Sequence, residues 1–150
     1  MEEIFVKLKE FWSKQEIKLR PGLSPVALAK FESQLKLPLP NDLREYFLFA
    51  DGFDGGMDNE CISFLPMEEA VRESVIGSPP AERTDPFIAF ADFLISSHVY
   101  MIDLEDVSNG WSSVYVVYDN KPDWIRKVAD TFSDFLLGYM ANDYSVLFPK

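Results

Sequence analysis

The stretch Phe87-Ile88-Ala89-Phe90-Ala91-Asp92-Phe93-Leu94-Ile95-Ser96-Ser97-His98-Val99-Tyr100-Met101-Ile102-Asp103-Leu104 decides the fold. Phe87 to Leu94 is an apolar run with one charge, bounded by turn residues, and reads as a central strand. Ser96-Ser97 make a short turn into a second strand, His98–Leu104. Asn109-Gly110 is the dipeptide that most readily takes positive φ in a tight hairpin, and Ser113–Tyr118 alternates on its far side. Together these three segments predict an antiparallel meander.

Helices flank the meander. Ile4, Leu8, Phe11 and Trp12 fall on one face of a helix over residues 2–14, before Arg20-Pro21-Gly22 breaks the chain. Ser24-Pro25 opens a second helix, with serine as N-cap and proline at the first helical position, and Leu28, Phe31 and Leu35 form its apolar stripe. Pro38 and Pro40 end that helix. A third runs from Asn41 or Asp42 to about Ala50, stopped by Asp51-Gly52. Residues 51–58 read as a loop, Cys61 to Leu65 as a short strand, and Pro66 begins a helix holding Met67, Ala70, Val71 and Val75. A polar, proline-rich loop from Gly77 to Pro86 is expected to be mobile. The last helix spans about Asp130 to Ala141, with Phe132, Phe135, Leu136, Tyr139 and Met140 on one face and a capping-box pattern in Thr131 and Asp134. The predicted class is α+β: N-terminal helices, a central antiparallel β-meander sheet and a C-terminal packing helix, as a single domain over residues 1–150.

Composition agrees with a sizeable core. The chain has 150 residues, 47% of them hydrophobic and 13 of them phenylalanine, enough to fold without disulfides or metals. Cys61 is the one cysteine, so an intrachain disulfide is impossible and a cysteine-based zinc site is not expected. The start, Met1-Glu2-Glu3, is acidic and leads into no apolar run, and no apolar stretch approaches the ~20 residues that span a bilayer. A cytoplasmic protein is therefore expected.

Net charge is −11, and it is unevenly spread. Residues 1–40 carry seven bases and five acids, whereas residues 41–150 carry seven bases and twenty acids. Such a field repels nucleic-acid phosphates and anionic lipids and attracts basic proteins. The expected partner is another protein, not nucleic acid or membrane, with the chain itself a monomer or weak homodimer.

Several segments appear together, in an order that resembles the SUKH superfamily. Leu37-Pro38-Leu39-Pro40-Asn41-Asp42-Leu43-Arg44-Glu45-Tyr46-Phe47 is a proline-started helix closed by Ala50-Asp51-Gly52, with Glu32 upstream. Phe87-Ile88-Ala89-Phe90-Ala91 is the central strand, and Val128-Ala129-Asp130-Thr131-Phe132-Ser133-Asp134-Phe135-Leu136 is the closing helix. The resemblance runs from about residue 22 to 141. One departure is the turn between the two central strands, where many relatives have glycine and this chain has Ile95-Ser96-Ser97-His98. The superfamily includes bacterial immunity proteins that neutralise polymorphic toxins and a fungal regulator of cell-wall synthesis. The resemblance implies a protein-binding domain without catalytic residues, and leaves the partner's identity open.

No enzyme signature contradicts this. His98 is the only histidine, and any Ser-His-Asp or Cys-His arrangement would have to use it, with Asp92 in reach across the hairpin. A structural role is the better reading for His98, and a small buried side chain for Cys61. No phosphate-binding glycine loop or nucleophile elbow is present. The acids Asp51, Asp54, Asp58 and Glu60 could attract calcium, but the position that an EF-hand loop gives to glycine holds Asn59, so a solvated acidic loop is expected. No catalytic residue, metal or cofactor is assigned. The partner-binding candidates are Phe53, Asp54, Asp58 and Glu60 in one loop set, and Glu105, Asp106, Trp111, Asp119 and Asp123 in another. If the fold brought these loops to one rim, acids would steer a basic partner such as a nuclease toxin, and Trp111 or Phe53 would anchor it. Trp124, placed in the loop before the last helix, is expected to fold back on the core. The leading reading is stoichiometric neutralisation of a toxin. The alternatives are a regulatory or scaffold domain, and a hydrolase using carboxylates or His98.

Overall fold

The computed structural model describes residues 2–35, 37–72, 87–95, 97–104, 109–118 and 121–150, with backbone alone at 72 and 121–123. The expected loop from Gly77 to Pro86, and Val75 of the helix expected to begin at Pro66, lie outside the described residues.

Helix α1 (Glu2–Ser13) buries Phe5, Leu8 and Trp12. Strand β1 (Leu19–Pro21) follows, then α2 (Pro25–Leu35), whose first turn is capped by Ser24 Oγ accepting from the Ala27 N–H at 3.1 Å. Helix α3 (Asn41–Phe49) runs straight into strand β2 (Ala50–Phe53). Glu32 ties α2 to α3, accepting from the Leu39 N–H and from the Arg44 guanidinium. Strand β3 (Ile62–Phe64) and helix α4 (Met67–Arg72) come next. The meander then contributes β4 (Phe87–Phe93), β5 (His98–Asp103), β6 (Val114–Tyr118) and β7 (Lys121–Ala129), before α5 (Phe132–Met140) and α6 (Tyr144–Leu147).

Strands β3-β4-β5-β6-β7 form one antiparallel sheet in chain order, and β1 and β2 a separate antiparallel pair. The α+β architecture with an antiparallel meander is therefore present. One face of the sheet packs against helices. Phe90 sits at an irregularity in the β4–β5 register and meets Phe132 and Phe135 edge-on at 5.0 and 5.1 Å. Tyr100 on β5 lies against Phe135 at 5.3 Å and donates to the Leu147 carbonyl at 2.7 Å.

Four elements differ from the sequence-based reading. Leu19–Pro21, overlapping the chain break read at Arg20-Pro21-Gly22, form β1, and Ala50-Asp51-Gly52-Phe53, read as a helix stop and loop, form β2. Each is short and poor in β-formers, and the pairing of Leu19 with Phe53 joins segments more than thirty residues apart. Residues 121–129, read as a loop running into the last helix, form β7, which takes in Val128 and Ala129. Pro122 is tolerated because β7 is an edge strand, and two register irregularities break its alternation, so no period of two is visible in the sequence. Helix α5 accordingly starts at Phe132, with Thr131 Oγ1 accepting from the Asp134 N–H as the capping pattern predicts. The short helix α6 had no readable periodicity. Asn109 and Gly110 do take positive φ, +54° and +84°, but within a longer connection between β5 and β6.

Asp42 joins the two long helical layers. It is buried in the first turn of α3, and its Oδ2 accepts from the Ser133 backbone N–H at 2.9 Å and the Ser133 hydroxyl at 3.0 Å, in the first turn of α5. A carboxylate is favoured there by the partial positive charge of both helix starts. Asp42→Ala leaves those donors without an acceptor and is expected to lower unfolding free energy by about 1–3 kcal/mol. Urea unfolding followed by circular dichroism measures the loss, and Asp42→Asn should lose less than Asp42→Ala.

Candidate functional site

The loop between β2 and β3 divides its acids among separate jobs. Asp51 Oδ1 accepts from the Met67 N–H at 2.7 Å, capping α4, and its other oxygen lies 3.7 Å from the Arg20 guanidinium. Burial pushes its carboxyl above the ordinary carboxylate range, opposed by the Met67 hydrogen bond and the Arg20 charge. Asp54 is exposed and pairs with the exposed Lys18 at 3.4 Å, an ion pair of small energetic value. Asp58 is only 6% exposed. Its Oδ1 accepts from the Glu60 and Ile62 N–H groups, each at 2.9 Å, and its Oδ2 accepts from the Tyr139 hydroxyl. The Tyr139 hydroxyl in turn accepts from Trp12 Nε1 at 2.8 Å. Four carboxylates that looked like one solvated acidic loop are thus two buried structural acceptors, Asp51 and Asp58, and two surface groups, Asp54 and Glu60.

Phe53 also departs from expectation. It is 3% exposed and meets Trp12 edge-on at 5.1 Å, so it is a core residue and not a surface anchor. Its strand places it under Trp12, whereas a loop conformation would have left it free. Glu105, Asp106 and Asp119 lie outside the described residues, as does the side chain of Asp123.

Trp111 is 42% exposed, as its place beside Asn109-Gly110 suggested. It does not share a rim with Glu60. Gly110 O accepts from the Asn41 N–H at 2.9 Å and Ser112 Oγ donates to the Asp103 carbonyl, so Trp111 sits at the Asp103 end of β5. Glu60 lies at the other end: Cys61 O accepts from the Leu94 N–H at 3.0 Å, beside the Phe93–His98 pair. Five strand steps of ~3.3 Å separate the two ends by about 17 Å.

At the His98 end, aromatic side chains cross the sheet on its helix-facing side. Register aligns Phe93, His98 and Tyr118 in one row. The His98 ring lies 5.0 Å from Phe93, 4.0 Å from Tyr118 and 5.7 Å from Phe148. Tyr118 stacks on Trp124 at 4.0 Å, and the Arg126 guanidinium sits 4.4 Å from the Trp124 ring. Trp124 therefore does fold back, from a strand instead of a loop. Asp92, adjacent to Phe93, pairs with Val99 and points to the opposite face from His98, so no acid–histidine pair forms across that hairpin. Burial lowers the His98 pKa below its ordinary value. Cys61 is half-buried at φ +66° in the tight turn closed by Asp58.

Two apolar side chains at this end, Leu94 and Ile95, are exposed, which the sequence reading did not anticipate, although it marked Ile95 as part of a turn that departs from the family's glycine. The readable signal was an aliphatic pair placed directly before the Ser96-Ser97 turn, where polar residues and glycine are usual. Among the described residues no group of three or more His, Cys, Asp or Glu is placed to hold a metal ion, and no helix is long and apolar enough to cross a membrane.

Residues 22–138 match the sequence model of the SMI1 / KNR4 family (SUKH-1). No curated protein matches the chain.

Two outcomes test this geometry. Asp58→Ala strands the Tyr139 hydroxyl and two backbone N–H groups, and is expected to cost about 3 kcal/mol or more in urea unfolding. For His98, a folded pKa below the unfolded value of about 6.5 means that its contribution to stability is present above that pH and is lost as pH falls below it. His98→Phe, which keeps the aromatic packing, should flatten the loss of thermal stability between about pH 7 and 5 relative to wild type.

Proposed function

The chain belongs to the SMI1 / KNR4 family (SUKH-1), and on that premise we propose that it acts as an immunity-type protein, neutralising a cognate toxin by stoichiometric binding and not by catalysis. Family membership over residues 22–138 is the observation that carries the reading. The use of the reactive side chains supports it. His98 is packed among aromatic rings, and the buried carboxylates Asp42, Asp51 and Asp58 cap or brace the backbone. A net charge of −11 favours a basic partner, such as a nuclease domain, by steering its approach.

Within this reading the steering acids are Asp54 and Glu60, together with Glu105, Asp106, Asp119 and Asp123, while Asp58 and Phe53 act in the fold. Affinity capture of the tagged chain from its native cells should recover one basic protein at equal stoichiometry, and co-expression should suppress that protein's toxicity. Recovery of only non-toxic partners would overturn the toxin assignment. Neutralising Asp54, Glu105 and Asp106 together is expected to slow association several-fold at low salt and to flatten its salt dependence. Stopped-flow measurements across an ionic-strength series provide the check.

A further inference from the structure

The turn between β4 and β5 holds the wrong residues for a surface turn. Leu94 and Ile95 have φ of +47° and +54°, the left-handed region that glycine and asparagine take readily and a β-branched side chain resists. Both side chains also face water: Ile95 is 82% exposed and Leu94 49%. A polar or glycine pair would be favoured by backbone conformation and by solvation alike. Strained positions persist where the surrounding structure holds them, and they cluster at functional sites.

The surroundings do hold this one. Leu94 N–H is bound by the Cys61 carbonyl, and Ser97 N–H donates to the Phe93 carbonyl at 2.9 Å across the turn. Glu60 precedes Cys61 and accepts from the Tyr144 hydroxyl at 3.4 Å. The Tyr144 ring meets Phe148 edge-on at 5.6 Å, and Phe148 meets Phe93 at 4.8 Å, which closes the circuit back to Leu94. An aliphatic tip therefore projects from an aromatic base and is flanked by exposed Tyr144. Tyr144 brings two acids to this side: Glu60, whose carboxylate its hydroxyl binds, and its chain neighbour Asp143. Neither has a cationic partner among the described residues. Hydrogen bonds from the Ser145 hydroxyl and N–H hold the Asp143 carboxyl below the usual range, so it stays ionised.

We propose that the Leu94-Ile95 tip is the docking element of this protein, inserting into an apolar hollow on a net-basic partner protein whose lysines or arginines face Glu60 and Asp143. The proposal deepens the binding reading above by placing its contact surface. An apolar anchor with a charged rim is the arrangement that concentrates binding energy at interfaces. These two carboxylates, with no cationic partner among the described residues, select the partner's sign. A second copy of the chain is disfavoured, because it would bring a like charge of −11 and the same two acids to the contact.

The test places a photo-crosslinking amino acid at position 95 of the full chain in its native cells, with position 26 as control, since Val26 is equally exposed at 82% on α2. The expected result is an adduct at 95 with one net-basic protein, identified by mass spectrometry, and none at 26. Purified, that protein should bind Leu94→Asn with Ile95→Gly at least tenfold more weakly than wild type. That variant should melt no lower than wild type, because both replacements suit positive φ. Ile95→Lys, which opposes a basic partner by charge, should weaken binding in the same way. No adduct at 95, an adduct with a second copy or with an acidic protein, or unchanged affinity of both variants would overturn the proposal. A basic but non-toxic partner at 95 would leave the docking element standing and remove the toxin reading.

Discussion

Trp12, Tyr139 and Asp58 are linked by hydrogen bonds in the interior, and the rest of the packing is arranged around them. The three residues come from α1, from α5 and from the turn before β3, so the link spans nearly the whole chain. A buried carboxylate is tolerable only if its lone pairs are filled, and here two backbone N–H groups and a hydroxyl fill them. The indole ring carries the apolar side of the same junction, meeting Phe53 and Phe64 edge-on at 5.1 Å each. Sliding either helix by one residue would break the polar chain and the aromatic packing together. Asp42 repeats the device at the opposite end of α5, so that helix is pinned at both of its ends.

This constraint also sets what is left for function. Because Asp58 and Asp51 are committed to the interior, the acids of that loop offer less negative surface than their number suggests. Phe53 is drawn under Trp12 and is lost as an anchor. The tight turn that Asp58 closes positions Cys61 to bind Leu94, and so sets the β4–β5 turn in place. Interior chemistry and surface presentation are thus coupled through a few backbone hydrogen bonds.

The legible parts of this fold were those with local causes. Helices α1, α2, α3 and α5 announced themselves through apolar spacing, and their starts through Ser24-Pro25, Pro40-Asn41 and Thr131. Strands β4, β5 and β6 were readable from apolar runs and turn signals, and so was the family. Strands β1 and β2 were not, because each exists only through its distant partner. Strand β7 was hidden by Pro122 and by register breaks that disrupt alternation. For the surface, exposure of Trp111 was legible from its turn. The burial of Asp58 and Phe53 was not, because composition does not say which carboxylate of four will meet Tyr139.

The sequence by itself determined the α+β class, the family, and a strongly acidic charge borne by residues 41–150. These follow from periodicity, residue order and counting, which need no partner in space. Only the tertiary structure decided which acids are structural, that Trp111 and Glu60 lie at opposite ends of the sheet, and that Leu94 and Ile95 stand exposed at positive φ. Those outcomes depend on contacts between residues far apart in the chain, and hydrogen-bond satisfaction in the interior selects among them.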